Sequence, residues 1–131
     1  MRLHPVVSIT LGFIVSYIVF YFVTDLTLLG ALGVSSSVLE VIWTVESLAS
    51  ATIGGFLATY FAKENKILYG ICVGICWMVF FSILPALIFV GPPESLSVLM
   101  IPFLMYIGFI IASTIGSYLA IFIDKRQNLN I

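Results

Sequence analysis

Four apolar runs follow one another along this chain with only short polar breaks between them. They cover residues 6–23, extending toward 32; the stretch after the serines at 35–37 as far as 62; residues 67–90; and a run that begins between 95 and 102 and ends at 123. An apolar stretch of about 20 residues crosses a hydrocarbon layer of roughly 30 Å. Each run is therefore long enough to span a bilayer and too apolar for a surface helix. A water-soluble fold cannot absorb them. The chain is 62% hydrophobic and 8% charged, against about 45–50% and about 25% in soluble domains. A protein of 131 residues has too much surface for its volume to hide that excess. Lipid must be the solvent for most of these side chains.

Within lipid a backbone has to satisfy its own polar groups, which leaves helices or closed barrels. Barrel strands alternate apolar and polar residues, and these runs do not. The expected fold is all-α: a bundle of four transmembrane helices forming a single domain over 1–131. The first run differs from a cleaved signal peptide, because its apolar core exceeds the usual 7–15 residues or so and no A-x-A-like site follows it. It reads as a retained helix.

All five basic residues fall on one side of this predicted topology: Arg2, Lys63, Lys66, Lys125 and Arg126. The connections at 24–37 and 91–96 contain no Lys or Arg. The positive-inside rule then places both termini and the middle turn in the cytoplasm, with the plasma membrane as the expected location. Tyr60, Tyr69 and Tyr118 fall near the same inner edge, where aromatic residues gather. A net charge of -1 provides no basic surface for nucleic acid.

The second and fourth runs match at an offset of 62, Thr52-Ile53-Gly54-Gly55-Phe56-Leu57-Ala58 against Thr114-Ile115-Gly116-Ser117-Tyr118-Leu119-Ala120, each followed by a lysine in register. The first and third match more weakly at an offset of 60. A duplicated two-helix hairpin, with halves of about 1–65 and 66–131, would produce this pattern. Such halves would be related by an axis along the membrane normal.

Small residues let helix backbones approach closely in lipid. Gly108, Ala112, Gly116 and Ala120 form one row in the fourth run. Ser47, Ala51 and Gly55 form a row in the second, beside Gly54, Ala58 and Ala62. Gly70 and Gly74 in the third and Ser8 and Gly12 in the first repeat the spacing. These rows predict tight packing toward the cytoplasmic half and a looser outer half filled by Phe, Tyr and Trp. They could meet within one chain, in a homo-oligomer or in a larger membrane complex. Pro85 predicts a kink in the third helix. Pro102 marks either a kink or the real start of the fourth, in which case residues 95–101 lie along the interface.

An ionisable residue at membrane depth is a functional candidate by default. Asp25 and Glu40 fall near the outer boundary, where water reaches them. Glu46 lies about 22 Å above the cytoplasmic end of its helix, still within the hydrocarbon, and every Lys, Arg and His of the chain sits at the opposite face. It must be protonated, hydrated, bound to a cation or paired with another protein. The simplest partner is Ser50, one turn away, or a backbone carbonyl of a neighbouring helix. Cys72 and Cys76, four residues apart in an apolar run, suit buried thiols better than metal or redox use. No phosphate-binding loop, HExxH or Ser/His/Asp set is present, and the one histidine, His4, lies at the terminus. The residues indicate no enzyme, cofactor or metal.

Gly54-Gly55-Phe56-Leu57-Ala58, a short lysine-containing turn, and Tyr69-Gly70 with Gly74 resemble a family of small four-span membrane proteins common in methanogenic archaea and some bacteria. The resemblance covers residues 50–76 in motif and implies topology, with no activity attached. Small multidrug transporters are similarly short, but their essential acid lies in the first span, where this chain has none. Two functions are expected to compete. One is a structural or accessory membrane subunit. The other is a small-cation or proton-coupled transporter or channel using Glu46, with lipid binding between the helices a third possibility.

Overall fold

A computed structural model describes residues 3–30, 33–62, 64, 66–88 and 96–129, with 82–88 and 96–103 as backbone only. Four helices make up the fold: α1 (Pro5–Gly30), α2 (Ser36–Tyr60), α3 (Lys66–Ile88) and α4 (Leu96–Leu129). Arg2, Lys63, Glu94 and the Gly91-Pro92-Pro93 break lie outside the described residues.

Local chemistry sets the helix limits. Pro5 opens α1, where its missing N–H costs nothing and its fixed φ is already helical. Gly33 takes a φ of 95° between α1 and α2, a conformation that glycine adopts without strain. The Ser35 carbonyl then accepts from the backbone N–H groups of Val38 and Leu39 to begin α2. One boundary decides between two expectations, and another differs from expectation. α4 begins at Leu96, so Pro102 lies inside the helix and residues 96–101 belong to it. At its other end α4 runs past Ile123 to Leu129, because Asp124, Lys125 and Arg126 can extend into water without ending the backbone hydrogen bonding.

α1, α2 and α4 each contain a stretch long and apolar enough to cross a membrane: Pro5–Gly30, Ser36–Tyr60 and Leu104–Asn128. α3 has 23 residues, of which Lys66–Phe81 form a shorter apolar helix with described side chains. The helices run antiparallel in sequence. Leu3 donates its N–H to the Phe61 carbonyl at 3.0 Å, which brings the start of α1 to the end of α2. Lys66 Nζ pairs with Asp124 Oδ2, which brings the start of α3 to the last turns of α4. One end of the bundle thus carries Lys66, Lys125 and Arg126, and the opposite end carries Asp25, Glu40 and Glu46.

α2 and α3 each pack against all three other helices. α1 and α4 lie on opposite sides and do not touch among the described residues. A two-fold axis exchanging the hairpins would require α1 to meet α4 as α2 meets α3, and the helices are not arranged that way.

The core centres on Trp77, which is fully buried about 17 Å along α3 from Lys66. Its ring stacks on Phe81 and Phe109 with centroids at 5.5 and 5.7 Å, and Phe13 and Phe20 of α1 meet it edge-on. Offset and edge-to-face contacts of this kind suit the charge distribution of aromatic rings. The indole N–H donates to Ser16 Oγ at 2.9 Å, so its burial leaves no orphan donor. The aromatic layer is a packed centre.

Candidate functional site

The small-residue rows close on one another within the chain. Gly55 of α2 lies against the backbone of Ser113 in α4, and Gly116 of α4 lies against the backbone of Thr52 and Phe56 in α2. This reciprocal contact is one residue out of register with the 62-residue sequence match. The adjacent face of α2 serves α1: Gly54 abuts the Gly12 carbonyl and Ser16, and Ala58 fills the space beside Gly12. Gly70 and Gly74 of α3 meet Ser113 and Ser117 of α4. Ala58, Ala112 and Ala120 are buried, whereas Gly108 faces only the tip of the Leu48 side chain. α2 therefore has two small faces, one for α1 and one for α4.

Hydroxyls bridge these seams. Thr59 Oγ1 is 2.7 Å from Ser117 Oγ and 2.9 Å from the Lys66 carbonyl, tying α2 to α4 and α3 at a fully buried point. No packing role was expected of Ser113, Ser117 or Thr59. Their signal was present in the small-x-x-x-small spacing of 113 and 117, beside the glycine row.

Glu46 does not bond to Ser50. It crosses to α1, where Thr24 Oγ1 donates to Oε2 at 3.3 Å and Thr27 Oγ1 is bonded to Oε1. Thr24 and Thr27 share a face of α1 because they are three residues apart. Thr27 Oγ1 is also 3.0 Å from the Val23 carbonyl of its own helix. A threonine hydroxyl has one hydrogen. That hydrogen can go to the Glu46 carboxyl or to the Val23 carbonyl. No cation lies beside Glu46 among the described residues. Glu46 and the threonines are each half-buried, so the cluster is a clamp between α1 and α2 at the acidic end of the bundle.

No known family model, curated protein or solved structure matches the chain.

Asp25 and Glu40 are exposed and do not join Glu46. Cys72 and Cys76 are free thiols, each half-buried on α3. No group of three His, Cys, Asp or Glu side chains lies close enough to hold a metal among the described residues. One concavity stands out at the acidic end: a groove of about 550 Å³ along the first half of α2, walled by Phe20 of α1, Phe81 of α3 and Met105 of α4. Glu40 lines it and Glu46 does not.

Proposed function

We propose that this chain is a four-span protein of the plasma membrane, built from a duplicated two-helix hairpin whose halves have diverged in packing. Both termini face the cytoplasm. It acts without enzymatic chemistry as a structural or accessory subunit in a homo-oligomer or a larger membrane complex. It belongs with the small four-span family that residues 50–76 resemble. The observation that carries the functional reading is the bonding of Glu46. The deepest acid of the chain is engaged by two threonines of its own neighbouring helix, so its role is helix pairing. With the small-residue seams closed internally, what remains for other molecules is the apolar exterior, including Ile14, Ile18 and Phe22 of α1 and Ile111, Ile115 and Phe122 of α4.

Native mass spectrometry of the gently extracted protein from its own cells tests this reading. A stoichiometric foreign subunit, or a defined homo-oligomer, is expected. A monomer that conducts cations into liposomes, and stops when Glu46→Gln is introduced into a folded protein, would replace it with transport. Orientation is checked separately with single cysteines at Ser37 and Gln127 in a variant lacking Cys72 and Cys76. A membrane-impermeant maleimide is expected to reach the first only from outside and the second only from the cytoplasm.

A further inference from the structure

We propose that the groove along the first half of α2 binds amphiphilic organic cations, with Glu40 receiving the charge and the aromatic walls receiving the apolar body. Its volume of about 550 Å³ falls within the range of small-molecule sites, roughly 300–1,000 Å³. The lining is graded. Glu40 stands one turn into α2 and is exposed, and Ser47, at the buried end, is about 10 Å further along the helix. Between them the walls are Phe20, Phe81 and Met105, three side chains from three helices, with Trp43 at the rim. An occupant with a polar head and a bulky apolar body matches that gradient.

The sign of the head follows from the surroundings. Glu40 is the one charged residue lining the groove among the described residues. The hydroxyls along it are committed to the helix itself: Thr44 Oγ1 donates to the Glu40 carbonyl and Ser47 Oγ to the Thr44 carbonyl, both at 2.8 Å. Among the described residues Lys66, Lys125 and Arg126 lie at the other end of the bundle, while Asp25 adds negative charge at this one. An anion would be repelled. A cation gains the Glu40 carboxylate and the face of Trp43, since ring faces attract positive charge. The inference does not depend on the subunit reading, because neither a partner nor Glu46 is needed for it.

Two probes of nearly the same shape and opposite charge decide the matter. Tetraphenylphosphonium and tetraphenylborate are titrated by calorimetry into the full-length protein in lipid nanodiscs, with empty nanodiscs as the blank. Saturable binding of one tetraphenylphosphonium per chain is expected, weakened at least fivefold by Glu40→Gln and unchanged by Glu46→Gln, which lies off the groove. Tetraphenylborate is expected to show no saturable binding. Equal binding of both ions, or the same phosphonium affinity in Glu40→Gln as in the wild type, overturns the proposal. Glu40 is exposed, so its substitution leaves the fold intact, and circular dichroism of the variant verifies that.

Discussion

Replacing Gly55 by alanine adds one methyl group to the seam between α2 and α4, at a point where the structure has no room for it. A Cβ built there lies 2.7 Å from the Ser113 carbonyl carbon and 2.8 Å from its Cα, and closer still to the carbonyl oxygen. Carbon atoms in contact prefer about 3.5–4.0 Å, so α4 must withdraw by roughly 1 Å. The obstacle is main chain, and no rotamer change relieves it. Overpacking of this kind costs about 1–3 kcal/mol, and the better helix propensity of alanine returns up to about 1 kcal/mol. The expected net loss is about 1–2 kcal/mol. Gly108→Ala is the matched control in the same pair of helices. There the new Cβ meets only the Leu48 Cδ2 methyl at 3.2 Å, which can swing aside, so that variant should equal or slightly exceed the wild type. The assay is reversible unfolding in mixed dodecyl maltoside and SDS micelles, followed by circular dichroism. Trimming Ser113 to alanine should not rescue Gly55→Ala, because the clash is with backbone. Equal stability of Gly55→Ala and Gly108→Ala would refute the close approach of α2 and α4, and with it the helix arrangement described above.

Three further outcomes are expected in the same assay. Glu46→Gln should stay within about 0.5 kcal/mol of the wild type, because an amide can still bond to both Thr24 and Thr27, whereas Glu46→Leu loses both bonds and should cost about 1 kcal/mol; equal losses in both would refute the clamp. Thr59→Val removes a hydroxyl shared by three helices at a fully buried point and should cost about 1–3 kcal/mol, while Thr52→Val, whose hydroxyl bonds only to Leu48 of its own helix, should be close to neutral. Lys66→Met and Asp124→Asn break an ion pair at the partly exposed end of the bundle and should each cost under about 1 kcal/mol, with the difference from wild type shrinking in high salt.

The helices were legible in the sequence because lipid leaves the backbone one solution and marks it with long apolar runs. The ends were less so: nothing in an apolar count tells a helix to continue from Ile123 through Asp124, Lys125 and Arg126, since hydropathy treats all three as a stop although Lys and Arg are good helix formers. The rows containing Gly54, Gly55, Gly70, Gly74 and Gly116 were legible as packing faces, but which helix each would meet was not, because spacing along one helix carries no information about its neighbour. Glu46 stood out by its depth. Its partners did not, since Thr24 and Thr27 are separated from it by a turn and become adjacent only once α1 and α2 are antiparallel. The sequence match between the halves suggested a two-fold that the packing of α1 away from α4 does not follow.

The two small faces of α2 also have an order in time. The face bearing Gly54 and Ala58 finds its complement in α1, already made when α2 emerges, whereas the face bearing Gly55 waits for Gly116, some sixty residues of synthesis later. Throughout that interval the nascent chain holds an open notch in the membrane, one into which any passing helix with a small-residue row could slip. Chains that stall or end after α3 keep that notch permanently, and they are the species of this protein most exposed to mispairing and to the cell's disposal machinery.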